Sequence, residues 1–133
     1  MATIEISNPP SLGAALGQYS QIARVKASEF IFIAGQVGAR RDGAIVEGFD
    51  EQCEQAFENT RLALESCGAT WANVVQFTTY LVHSQDIPLF MSYRLRRFPS
   101  FFSNGVYPPN TLLMIDRLVK ESLLFEVQTI AAL

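Results

Sequence analysis

Glu126 lies in a run, Leu123-Leu124-Phe125-Glu126-Val127-Gln128-Thr129-Ile130-Ala131, that is otherwise largely apolar. As a strand, this run points Leu123, Phe125 and Val127 one way and Glu126 and Gln128 the other. A carboxylate so placed stands either on a solvated or subunit-covered face, or in a pocket where desolvation raises its pKa. Arg94, Arg96 and Arg97 crowd a second segment, with Leu95 and Phe98 among them. They read either as the solvated basic face of an amphipathic helix or as a grip for an anion such as a carboxylate. Arg117, beside Asp116, reads as an exposed residue or half of a local ion pair. His83 is the one imidazole that a serine or cysteine nucleophile could use as a base. Its place before Ser84-Gln85-Asp86, at a strand end, fits a surface or capping role. Cys53 and Cys67 have no second Cys or His pair to complete a zinc site, and both fit a helix as small buried thiols. No metal or other cofactor is expected. The chain contains no phosphate loop, dinucleotide fingerprint or G-x-S-x-G elbow.

Composition bounds what these residues can belong to. With 133 residues, 49% hydrophobic and 17% charged, residues 1–133 suffice for one domain that buries roughly two-thirds of its unfolded surface. That is too apolar for a disordered chain, and no apolar run approaches the roughly 20 residues a membrane span needs. Met1-Ala2-Thr3-Ile4-Glu5 does not open like a secretory signal, so a cytoplasmic protein with both thiols reduced is expected. A net charge of −3 has the wrong sign for a general phosphate-backbone binder.

The elements that must position the candidate residues are set by periodicity. Ser7-Asn8-Pro9-Pro10-Ser11 reads as a loop. Tyr19–Val25 and Phe30–Val37 read as strands joined hairpin-fashion through Lys26-Ala27-Ser28-Glu29. Arg40-Arg41-Asp42-Gly43 reads as a turn. Asp50–Cys67 is a helix with Cys53, Phe57, Thr60, Leu64 and Cys67 on one stripe and Gly68 as a left-handed C-cap. Val74–Val82 is a strand, Pro88–Phe98 a second helix ending before Pro99, and Thr111–Ile115 and Leu123–Ala131 the last strands. The order β-β-α-β-α-β-β predicts an α+β sandwich with helices on one face of a mixed sheet. The other face, carrying apolar and polar positions, predicts a homo-oligomer.

Several short segments, in order and over nearly the whole chain, resemble the RidA/YjgF family. They are Gly17-Gln18-Tyr19-Ser20-Gln21, similar to G-P-Y-S-Q; Phe32-Ile33-Ala34-Gly35-Gln36; Gln55-Ala56-Phe57-Glu58-Asn59; Tyr107-Pro108-Pro109-Asn110-Thr111; and Phe125-Glu126-Val127-Gln128-Thr129-Ile130-Ala131. The resemblance implies a chorismate-mutase-like subunit, a mixed sheet with two helices on one face, packed as a homotrimer with clefts between subunits. It implies hydrolytic deamination of a small-molecule imine or enamine to a carbonyl compound and ammonia. Glu126 would activate the water, and Tyr19, Ala34, Gly35, Tyr107 and Asn110 would line the substrate site. Asn110 replaces the family's carboxylate-binding arginine, Ala34 a common serine and Gln18 the proline. These departures imply non-standard specificity, with Arg94, Arg96 or Arg97 as a replacement cation; Arg94 and Arg97 are expected to line the cleft. The alternative is a non-catalytic ligand-binding or regulatory trimer. Endoribonuclease activity, also associated with the family, sits poorly with the net charge.

Overall fold

In β6 (Phe125–Ala132), Phe125, Val127, Thr129 and Ala131 are buried, whereas Glu126, Gln128 and Ile130 retain exposure. This alternation makes β6 a strand with one face on the core. The computed structural model describes all 133 residues. In it β6 lies between β3 (Phe30–Val37) and β4 (Val74–Leu81), antiparallel to both, and β5 (Asn110–Met114) runs parallel to β4 at the edge. The sheet order is β3-β6-β4-β5, and α1 (Phe49–Ser66) and α2 (Ile87–Phe101) cover its buried face. The architecture is the expected α+β arrangement.

Phe57 of α1 is the centre of the core. Its ring lies 5.5 to 5.7 Å from those of Phe77, Tyr93, Phe98 and Phe125. Burying such a ring contributes about 2–3 kcal/mol, and truncating it would cost about 3–5 kcal/mol. Buried Gln52 fastens α1 to the loops around it. Its amide donates to the carbonyls of Val46 and Ser122 at 3.1 and 2.9 Å, and its Oε1 accepts from the Leu124 N–H at 2.8 Å. Asn59 donates to the carbonyls of Val37 and Ala39 at 3.2 and 2.9 Å, so α1 also fixes the end of β3 that lies beside Glu126.

The hairpin expected between the strands flanking Lys26–Glu29 does not form. β2 (Ile22–Lys26) pairs instead with β1 (Thr3–Ser7), a strand not anticipated from the sequence. The connection is drawn onto the end of β6, where the N–H groups of Ser28 and Glu29 both donate to the Leu133 carbonyl at 3.1 Å. Helix α2 runs through Pro99 to Phe101, beyond the expected stop. The proline ring is exposed near the helix end, while Phe98 and Phe102 are buried, so aromatic packing outweighs the lost backbone bond. Cys53 is fully buried as expected, but Cys67 is exposed, because the helix ends at Ser66 and Gly68 turns the chain away with φ of +74°.

Across the sheet from the helices, Phe32 is 74% exposed and Phe30 49% exposed, alongside Ile130, Tyr80, Gln128 and Glu126. This is the face with mixed apolar and polar positions anticipated from sequence. No helix is long and apolar enough to cross a membrane.

Candidate active site

The candidate residues gather in two places. The first is the open sheet face. Between Ile33 and Gln36, β3 shifts register against β6, so Ala34 and Gly35 form a bulge opposite Gln128. A bulge removes backbone groups from the ladder and re-aims the strand beyond it. Past the bulge, Val37 pairs with Glu126, and Tyr80 of β4 flanks Glu126 on its other side. The Glu126 carboxyl lies over Gly35, where a Cβ would overlap it. Loss of water at this position pushes the Glu126 pKa above its ordinary value. Tyr80 donates its hydroxyl to Gln128 Oε1 at 3.0 Å, closing the polar row beside it.

The second place is the edge of the sheet on its helix-covered side. Asn110 opens β5 opposite Phe77 and shares the buried face with it and with Thr79. Its Nδ2 donates to Thr79 Oγ1 at 3.2 Å and to the Thr111 carbonyl at 3.1 Å, and its Oδ1 accepts from Arg94 Nη1 at 2.9 Å. Arg94 is 3% exposed. Its guanidinium lies 4.6 Å from the Phe90 ring centroid and 5.6 Å from that of Tyr19. Tyr19 is held by its own loop, its hydroxyl accepting from the Leu16 N–H at 3.1 Å. Ser20 bridges to Pro109, which keeps this loop beside Asn110. Strand alternation places Glu126 on one face of the sheet and Asn110 with Arg94 on the other, so one chain does not bring the two groups together.

The remaining candidates stand elsewhere. Arg97 is engaged by Glu54, with contacts of 2.7 to 3.0 Å, and the Arg97 hydrogen bonds hold the Glu54 carboxyl below its usual range. Arg96 pairs with Asp50 at 2.9 Å. Tyr107 packs against Phe98 and Phe102, each 6.1 Å away, as part of the aromatic core. His83 is exposed and caps no helix with its side chain. Arg117 pairs with Glu121 at 3.4 Å. Phe90 and Met91 were not among the residues expected from sequence, and Arg94 was not separated from its neighbours. The signal was present, since Phe90, Arg94 and Phe98 recur four residues apart and therefore share one helical stripe, the buried one.

Residues 10–133 match the profile of the Endoribonuclease L-PSP family. The chain belongs to this family, the RidA/YjgF group. Its sequence is 32% identical over 118 residues to a RutC family protein of Pyrococcus abyssi, covering 87% of each chain. It is 26% identical over 127 residues to a 2-iminobutanoate/2-iminopropanoate deaminase of Dermatophagoides farinae, covering 90% of this chain and 98% of the relative. A Rid-family protein of unknown function from Yersinia pestis has a similar solved structure, with a TM-score of 0.86, 25% identity and 98% of both chains covered. In this RidA/YjgF chain the bulged Ala34-Gly35 and the last-strand Glu126 are adjacent. At the start of β5, Asn110 is a neutral amide bonded to a helix arginine.

Proposed function

We propose that this chain hydrolyses a reactive imine or enamine to a carbonyl compound and ammonia, in a cleft that a neighbouring copy completes in a homotrimer. The observation that carries this reading is Glu126, a desolvated carboxylate with raised pKa lying over the Gly35 backbone on an otherwise open sheet face. A side chain there would push the Glu126 carboxyl out of its place. Separation of the two residue groups by the sheet, together with exposed Phe32 and Phe30, supports a site assembled between copies. The deaminase named among the relatives supports the reaction class.

In that cleft the Glu126 carboxylate takes a proton from water as the water oxygen bonds to the carbon of the protonated imine, giving a neutral carbinolamine. Glu126 returns that proton to nitrogen, then takes the hydroxyl proton as the C–N bond breaks, so that the carbonyl forms and ammonia leaves, carrying that proton away as ammonium. The balance needs no cofactor. Tyr19 packs beside the substrate, and Asn110 at the arginine position sets a specificity different from that of the family motif.

The test is ammonia release from imines generated in place by an amino-acid oxidase, over a range from alanine-derived to bulky aromatic side chains. Hydrolysis above the buffer rate is expected for at least part of the series, with Glu126→Gln lowering it by about a hundredfold or more. Buffer rates throughout the series would replace this reading with that of a ligand-binding trimer.

A further inference from the structure

Three arginines lie on α2, and two of them have their charge answered: Arg96 by Asp50 and Arg97 by Glu54. Arg94 has no carboxylate partner, yet it is the most deeply buried of the three. Its surroundings are neutral. Nη1 donates to the Asn110 amide oxygen at 2.9 Å, Nη2 contacts Met91 Sδ at 3.0 Å, Phe90 and Tyr19 lie over the guanidinium, and Nε has no partner. Holding a lone cation in such a place is costly, and that cost is relieved by an anion. Desolvation already draws the Arg94 pKa down to about 10.

The unspent donors have a direction. A guanidinium takes a carboxylate side-on through Nε and one Nη, forming two parallel hydrogen bonds. Here Asn110 occupies Nη1, on the opposite side from that edge. At the Nε–Nη2 edge, Nε is unpartnered and Nη2 holds only a thioether, a weak acceptor on a flexible side chain. Gly17 closes over this edge without filling it, since a Cβ there would stand 2.6 Å from Met91 Cε and 3.0 Å from Arg94 Nη2.

We infer that Arg94 is the anion anchor of this chain: its Nε–Nη2 edge takes the substrate carboxylate, Met91 is the plug that the carboxylate displaces, and Asn110 is the positioning residue that aims the guanidinium. The inference rests on the imine-hydrolysis reading and deepens it by assigning selection for a substrate carboxylate to one helix residue, Arg94.

The experiment is calorimetric binding of 2-oxobutanoate and its neutral amide, 2-oxobutanamide, to the full chain, run beside the ammonia assay. Wild type is expected to bind the carboxylate and discriminate against the amide by about tenfold or more. Arg94→Lys should lose about tenfold in carboxylate affinity, because an ammonium cannot form the fork. Asn110→Asp, nearly isosteric, supplies an internal carboxylate to Arg94 and should lose as much; the new ion pair offsets the lost Nδ2 donation to the Thr111 carbonyl, and a melt establishes that the variant is folded, which covers the case in which Arg94 variants do not fold. Equal binding of acid and amide, no binding of the acid, or unchanged affinity in Asn110→Asp overturns the anchor. Ammonia release without acid binding overturns the anchor and leaves the hydrolysis reading standing. Arg94-dependent acid binding without ammonia release supports the anchor and removes the hydrolysis.

Discussion

Gly35 and Glu126 share one space: the carboxyl of Glu126 occupies the position that a Cβ on Gly35 would take. Gly35 has no positive φ, so its contribution is the absence of a side chain rather than backbone freedom. Gly35→Ala should displace the end of the Glu126 side chain, which can swing on the open face. Melting should therefore change by less than about 1 kcal/mol, while kcat falls by about tenfold or more through misplacement of the base. Gly38→Ala is the contrast. Its Cβ would meet the Gln52 backbone at 2.6 Å, where nothing flexible can yield, so it should cost stability in the range of about 1–3 kcal/mol. Thermal melts and initial rates on both variants check the pair, and a catalytic loss confined to Gly38→Ala would contradict the role of Gly35 in seating the base.

The raised pKa of Glu126 gives activity and stability opposite dependences on pH. As a base it must be ionised, so kcat/KM should rise with pH along a limb displaced above the ordinary glutamate value of 4.5. The folded-state pKa exceeds the unfolded one, so the native state is favoured at low pH, where the group is neutral in both states. That advantage is lost as pH rises through the folded value. Glu126→Gln should thus abolish the acid limb and melt higher than wild type at neutral pH, with the difference vanishing below the unfolded pKa. Parallel pH–rate and pH–melting series test both halves.

Most of the framework was legible because its signals were periodic. The α1 stripe of Cys53, Phe57, Thr60 and Leu64, and the alternation around Glu126, read directly onto buried faces. Three errors have physical causes. Thr3–Ser7 alternates Ile4 and Ile6 with polar residues, but five residues beside a proline pair carry little weight alone. Pro99 suggests a stop, yet the phenylalanines around it contribute more by burial than the missing N–H costs. β2 pairs with β1 rather than β3, and the connection after it is held at Leu133, a contact more than a hundred residues away in sequence. Glu126 stood out in sequence by the alternation of its strand and Gly35 by its motif, and the fold sets the two side by side. The separate roles of Arg94, Arg96 and Arg97 were not, because they depend on which acids α1 presents to α2.

The arginines should separate cleanly under mutation. Arg97 and Glu54 are each more than two-fifths exposed, so Arg97→Ala should cost between about 0 and 1 kcal/mol and leave turnover unchanged. Its loss should be felt mainly near neutral pH. Arg97 holds the Glu54 pKa down, so the pair's contribution is present above the unfolded carboxylate pKa and disappears as pH falls through the folded one. Arg96→Ala, at an equally exposed pair, should also cost between about 0 and 1 kcal/mol and leave turnover unchanged. A large catalytic loss in either variant would mean that α2 presents its exposed face to the cleft. Melting at neutral and acid pH, with rates on the best imine of the series, distinguishes these cases.

Placing an arginine at position 110 should do harm before it does good. In Asn110→Arg a second guanidinium would replace the amide oxygen that lies 2.9 Å from Arg94 Nη1, setting two like charges together in a site with no counterion. The expected cost is about 3 kcal/mol or more, as for other uncompensated buried charges, with no gain in hydrolysis of small 2-imino acids. The exchange Arg94→Asn with Asn110→Arg keeps one cation and one amide in the same contact. It should recover most of the stability and carry the strand-borne geometry. If the site needs a single guanidinium at this edge of the sheet, the double variant will hydrolyse alanine-derived imines where both single variants fail. A melt of the double variant no better than the sum of the singles would show that the two positions are not coupled.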